Sequence, residues 1–182
     1  MYLLFLDAAH FILQPFITSL WCIARVFVKA AAGRNRINVL GVINAITKEV
    51  TTITNTTYIN ANTIVEFLTK LKEQYADKPL KIVLDNAAYQ HCKLVTDAAK
   101  KLQIELLFLP PYSPNLNIIE RLWKFTRKKI LNAKYYDKPA AFHNAINTFF
   151  SQINLKSKKE LKSIMTLKFQ FFNEEKILFY TA

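Results

Sequence analysis

Glycine is nearly missing from this chain: two in 182 residues, alongside six prolines. Such a composition leaves no flexible linker and no low-complexity stretch, and no internal repeat is visible. Cysteine is equally scarce. Cys22 and Cys92 stand far apart and neither belongs to a CxxC pair, which argues against a disulfide framework or a zinc site and fits a reducing cytoplasm. No basic stretch precedes the apolar start, so a signal peptide is not expected. The start itself, MYLLFLDAAHFILQPFITSLWCIARVFVK, is interrupted by Asp7, Pro15 and Arg25. Its charge-free run over 8–24 falls at the short limit for spanning a bilayer, and the segment reads as buried strands of a cytoplasmic protein. Acidic residues are few as well: 13 against 25 Lys and Arg give a net charge of +12. An excess of that size points to a polyanionic partner, nucleic acid being the commonest. A ribosomal, membrane-surface or merely soluble basic protein would carry it too. What is plentiful is hydrophobic residues, 52% of the chain, enough for a true core.

The segment 2–6 is a continuous apolar run closed by Asp7, the pattern of a strand buried on both faces. Segments 24–29 and 37–46 are β-branched and apolar, with a hairpin turn expected at 32–35, and 50–58 is rich in Thr, Val and Ile. A helix capped by Asn60 follows from the spacing of Ile64, Phe67, Leu68, Leu71 and Tyr75, ending before Pro79. A second buried strand, 81–84, again stops at an acid, Asp85. Then come a helix over 94–102, a strand over 105–109, and a long helix over about 114–131 with Ser113 as its cap and Pro114 at its first position. From 140 onward the chain reads as helical and basic. The order β-β-β-α-β-α-β-α implies an α/β fold, a mixed sheet with helices on both faces. It is the order of the ribonuclease H-like fold, though other α+β folds begin the same way.

Asp7 and Asp85 share a peculiarity, since each directly follows an apolar strand run. The carboxyl edge of an open α/β sheet is where ligands sit. On neighbouring strands the two carboxylates would converge there, and like charges so near call for a cation. Hard oxygen donors of this kind suit Mg²⁺. Read singly, either Asp could simply cap the turn after its strand. Glu120 lies round from a helical core stripe of Ile119, Leu122, Thr126 and Ile130, flanked by Trp123, and shares its face with Lys124 and Arg127. It too has plain readings: an i,i+4 pair with Lys124, or the N3 member of a capping box begun by Asn117.

The strings LDNAAYQHC and LPPYSPNLNIIERLWKFTRKKI, with FLDAAHF and GRNRINVLGVINA, closely resemble the bacterial insertion-sequence transposases related to mariner, in the DDE superfamily. The likeness covers roughly residues 1–135, and the 34 residues from 86 to 119 match the spacing of that branch. It implies a ribonuclease H-like catalytic core over 1–135, with 136–182 as a helical, basic extension of the same domain. It also implies Asp7, Asp85 and Glu120 as catalytic residues and metal ligands for two Mg²⁺ ions, with Mn²⁺ as a substitute. Asp7 would bridge both ions, Asp85 hold one and Glu120 the other. One ion would activate the attacking water or 3′-hydroxyl and the other steady the leaving oxygen. The implied activity is cleavage of double-stranded DNA at transposon ends, followed by strand transfer into target DNA, without a covalent protein intermediate. Asn86 and Asn117 are expected just behind the acids, orienting them. Tyr112, Arg121, Lys124, Arg127 and Lys128 are expected to contact DNA, with Lys129 read as part of a solvated face. His10 and His91 are read as satisfied polar groups.

Relatives of this kind carry helix-turn-helix domains ahead of the catalytic core. Met1 lies six residues before Asp7, so such a domain is expected to be absent here and supplied, if at all, by an upstream-frame polypeptide. Weak, non-specific DNA binding is the corresponding expectation, with a homodimer as the family's working form in its DNA complex and the bacterial nucleoid as its location. The rival readings are another ribonuclease H-like nuclease or integrase, and a catalytically inactive basic DNA-binding remnant. An integrase often carries a zinc-binding HHCC module, which three scattered His and two distant Cys do not supply.

Overall fold

The structure, a computed structural model, describes residues 1–13, 35–76, 78–111, 113–132 and 134–169. The strand expected at 24–29, most of the turn at 32–35, Tyr112 and the tail after 169 lie outside these residues. Among the described residues five strands form one sheet: β1 Tyr2–Ile12, β2 Arg36–Asn44, β3 Val50–Asn55, β4 Leu80–Leu84 and β5 Ile104–Phe108. Their order is β3-β2-β1-β4-β5. β1, β2 and β3 are an antiparallel meander, whereas β4 and β5 run parallel to β1. Helices α1 Ala61–Gln74 and α2 Lys93–Lys101 cover one face; α3 Ile119–Ile130, α4 Pro139–Lys156 and α5 Lys158–Ile164 cover the other.

Successive strand side chains alternate between faces, and that alternation builds two cores. Leu4, Leu6, Leu40, Val42, Leu80, Ile82 and Leu84 pack toward α1 and α2. Phe5, Ala9, Phe11, Val39, Ile43 and Val83 pack toward α3, α4 and α5. Being buried on both faces explains why the central strands are apolar without interruption. The α1 cap is the expected one: Asn60 Oδ1 accepts from the Thr63 N–H at 3.1 Å, and Thr63 Oγ1 accepts from the Asn60 N–H at 3.4 Å. No helix among the described residues is long and apolar enough to cross a membrane.

Of the boundaries that differ from the sequence reading, three have a clear local cause. β1 does not stop at Asp7. Its antiparallel pairing with β2 continues to Ile12↔Arg36, while the parallel ladder with β4 ends at Phe5↔Val83. The strand expected to reach 46 ends at Asn44, whose side-chain oxygen takes the N–H groups of Ile46 and Thr47 and folds the chain into a turn. The helix expected from 114 is broken into a 3-10 turn, Pro114–Leu116, and α3 proper. Ser113 is not its cap, because that hydroxyl donates to the Pro111 carbonyl at 3.3 Å. Asn117 interrupts instead, its side-chain oxygen accepting from the Ile119 N–H at 3.3 Å, a local bond that competes with helix propagation.

α4 is anchored in the same core as β1 and α3, through Phe142, Ile146, Phe150 and Ile153. Phe142 is fully buried. Phe142→Ala is therefore expected to lower stability by ~3–5 kcal/mol, read as a drop in the urea midpoint that is shared by far-UV and near-UV circular dichroism. Two separate transitions would show that α4 folds apart from the sheet.

Candidate active site

The register of the sheet brings two acids together. Two residues beyond the last β1–β4 pair, Phe5↔Val83, come Asp7 and Asp85, so both side chains leave the sheet on the face covered by α3. Asp7 remains inside the β1–β2 ladder, opposite Gly41. Asp85 stands at the end of β4, where its Oδ1 accepts from the Ala87 N–H at 3.2 Å. The turn-capping reading of Asp85 is thus correct, and it leaves the second oxygen free of that duty. Glu120 comes from the first turn of α3, where the helix dipole favours a negative charge.

Asp7, Asp85 and Glu120 line a single open cavity of about 500 Å³, together with Asn86, Ala87, Leu109, Pro110, Pro111, Ser113 and Asn117. Asp7 is the buried member. Burial pushes its carboxyl up to about 7 and outweighs the lowering by hydrogen bonds from Trp123 and the Ala8 backbone, while the charges of Glu120 and Asp85 raise it further. Glu120 is also raised, by desolvation first; Arg127 pulls it back and Asp85 pushes it up again. Each of the three acids therefore lies within electrostatic reach of the other two. Among the described residues, no three His, Cys, Asp or Glu side chains already converge tightly enough to hold one ion.

The two asparagines line the cavity and bond to backbone groups beside it. Asn86 Nδ2 donates to the Leu109 carbonyl at 2.7 Å, tying the end of β4 to the end of β5. Asn117, buried, donates to the Leu6 carbonyl at 3.4 Å and so fastens the start of α3 beside Asp7. Lys124 does not reach back to Glu120 as a pair partner; it lies on a basic groove formed with Arg121, Lys128, Lys129 and Lys159 between α3 and α5. Lys129 is engaged with Glu160 at 2.6 Å. Arg127 sits 5.7 Å from the centre of the Phe11 ring. Arg121 is otherwise occupied than the sequence suggested. Its guanidinium donates to the carbonyls of Ile164, Thr166 and Lys168, at 3.3, 2.6 and 2.8 Å, and clamps the segment after α5 to α3. His10 Nδ1 donates to Asn38 Oδ1 at 2.7 Å, and His91 packs edge-on against Phe108.

The sequence reading passed over two residues. Trp123 flanks the core stripe in the sequence, yet it is fully buried and its indole N–H donates to Asp7 Oδ2 at 2.8 Å. Gly41 is the second, and a glycine inside a strand commonly marks a close approach. A Cβ there would lie 2.8 Å from Trp123 Cη2.

A five-stranded mixed sheet of this order, with acids at its carboxyl edge, defines the ribonuclease H-like class, and solved structures agree. The Mos1 strand transfer complex matches with a TM-score of 0.65 at 14% identity, covering 90% of this chain and 50% of that one. The catalytic domain of Mos1 mariner transposase matches at 0.57 and 14% identity, covering 94% and 84%. The integrase catalytic core of HTLV-2, in complex with magnesium, matches at 0.56 and 17% identity, covering 85% and 87%. The chain thus spans about half the length of the transposase in the strand transfer complex. No curated protein matches in sequence. The family model for DDE superfamily endonucleases matches residues 3–142, and the chain belongs to that family.

Proposed function

We propose that this endonuclease domain cuts DNA at the ends of a mobile element and transfers the freed 3′ end to a target, using divalent cations held by Asp7, Asp85 and Glu120. One observation carries the reading: a strand, a strand end and a helix deliver three carboxylates to one cavity, where the charge of Asp85 raises both Asp7 and Glu120. Such an arrangement is unfavourable for apo protein and favourable around cations. The donor set fits Mg²⁺, all hard oxygen and open on one side, and related Mos1 paired-end complexes are described with Mg and with Mn. Asp7, Asp85 and Glu120 would hold the cations between them. Bound there, two cations supply Lewis acidity for in-line displacement at phosphorus. The chain's own residues do the rest. Asn117 keeps the Glu120 helix against β1, Asn86 keeps the β4 and β5 ends together, and Arg127 holds a positive charge near Glu120 between turnovers.

Lys124 and Lys128 are exposed on the basic groove and serve as phosphate contacts, whereas Arg121 acts as a clamp. Lys124→Ala and Lys128→Ala are each expected to reduce the slope of log affinity for duplex DNA against log salt by about 0.9 without moving the melting temperature. Arg121→Ala is expected to cost ~1–2 kcal/mol of stability and to change the salt slope less than either lysine variant. A slope change for Arg121→Ala equal to theirs, at unaltered stability, would reinstate it as a DNA contact. Residues 136–169 are read as part of the catalytic unit, because α4 shares its core. A homodimer on DNA and action at the bacterial nucleoid complete the proposal.

Its test is supercoiled plasmid incubated with the chain and Mg²⁺. Nicked circles are expected, and EDTA should prevent them; folded protein that leaves the plasmid intact in both Mg²⁺ and Mn²⁺ defeats the proposal.

A further inference from the structure

The two strand carboxylates have a common feature. Each has an oxygen engaged by an N–H donor: Asp85 Oδ1 by the Ala87 backbone and Asp7 Oδ2 by the Trp123 indole, with the Ala8 backbone N–H also bonded to the Asp7 carboxyl. The Ala87 donor is local and belongs to an ordinary turn. The indole comes from 116 residues away, and its placement is built from several sides. Gly41, opposite Asp7 in the ladder, leaves the ring room, since any Cβ would press on Cη2. Phe11 and Phe150 meet the indole edge-on, at 6.2 and 6.3 Å between centroids, an arrangement that favours aromatic pairs and fixes the plane of the ring. The indole is therefore not free to turn away, and its N–H has one direction to point.

We propose that Trp123 is a positioning residue for metal binding: its N–H pins one oxygen of Asp7 and thereby presents the other to the cavity. This rests on the cation-holding role assigned to Asp7 above. A carboxylate on a strand has its Cα fixed by the ladder but still rotates about two torsions. A bond to one oxygen removes most of that freedom before a cation arrives, as a donor behind a metal ligand does in general. Because Trp123 and Glu120 lie three residues apart on α3, the helix that carries one cavity acid also aims another. The spacing between them is set by one rigid element.

The test is Mn²⁺ binding to the full chain, followed by the electron paramagnetic resonance of free Mn²⁺. Trp123→Phe keeps an aromatic ring in the Phe11–Phe150 cluster and removes the N–H. It is expected to weaken Mn²⁺ binding roughly 10–100-fold, with duplex DNA affinity in EDTA unchanged. Gly41→Ala, which displaces the ring and leaves its N–H intact, should move Mn²⁺ affinity in the same direction. Unchanged or tighter binding by Trp123→Phe overturns the proposal while leaving the cation site in place; wild-type chain that binds no Mn²⁺ overturns both. Should the variants not fold, the wild-type protein still decides. Only Trp21 and Trp123 carry indoles, and the ¹⁵N-indole resonance of Trp123 should shift on saturation with Mg²⁺ yet stay protected from solvent exchange. A resonance indifferent to Mg²⁺, or one that becomes solvent-exchanging when Mg²⁺ binds, contradicts it.

Discussion

Asp85→Asn lowers Mg²⁺-dependent plasmid nicking by about 10³-fold or more, with the fold untouched. The separation of the two effects follows from what the side chain does. Its Oδ1 accepts the Ala87 N–H, and the amide oxygen of asparagine can accept the same bond, so the turn after β4 survives. What disappears is the negative charge and with it a ligand oxygen of full strength. Cation stabilisation of the reacting phosphoryl group is worth several kcal/mol, and a loss near 4 kcal/mol corresponds to about a thousandfold in rate. Glu120→Gln should give a loss of similar order. It also forgoes a favourable charge in the first turn of α3, worth ~0.3–1 kcal/mol. A nicking rate within tenfold of wild type for either variant, at unchanged melting temperature, would remove that residue from the catalytic set.

Asp7→Asn behaves differently and is expected to raise stability. In the folded chain the Asp7 carboxyl titrates near 7, against 3.8 as its ordinary value, mainly because it is buried. Between those two pH values the folded state holds a proton that the unfolded state has released, so wild-type stability falls as pH rises from about 4 through about 7. Above that window the fold carries a desolvated, unneutralised carboxylate. Asparagine can keep an acceptor for the Trp123 N–H and has no charge to desolvate. In EDTA at pH 8 the variant is therefore expected to be more stable by ~2–4 kcal/mol, a rise in melting temperature of roughly 5–15 °C. The difference should shrink toward zero near pH 4. Mg²⁺ should raise the melting temperature of wild type by binding only the folded chain, and leave Asp7→Asn much less affected. A variant that melts below wild type at pH 8 would show that the Asp7 charge is compensated in the apo fold.

Much of this site is written in local sequence, and the remainder is not. The two strand acids are legible because burial on both faces forces an apolar run, against which a closing acid stands out. Glu120 is legible because it belongs to the SPNLNIIERLW string and sits off the apolar stripe of its helix. Asn86 follows from adjacency to Asp85, and Asn117 from its place in the same string as Glu120. Beyond that the sequence is silent, for physical reasons. That β1 continues past Asp7 depends on β2 pairing as far as Ile12, a non-local ladder that a stretch ending in an acid does not announce. That Trp123 touches Asp7 depends on the width of a gap left by Gly41, three residues from three separate elements. Helical periodicity assigns Trp123 to the core and cannot say which atom its N–H will meet. Arg121 reads as a phosphate contact in a basic run, and only the packing of the segment after α5 reveals the carbonyls that occupy it.

The direct measurement is crystallographic: crystals of the chain grown with Mn²⁺, with anomalous scattering recorded to place the ions. The account predicts manganese in the cavity at two positions about 3.5–4 Å apart, one touching Asp7 and Asp85, the other Asp7 and Glu120. Manganese confined to other surfaces, with the three carboxylates turned away from one another in a well-ordered cavity, would contradict it.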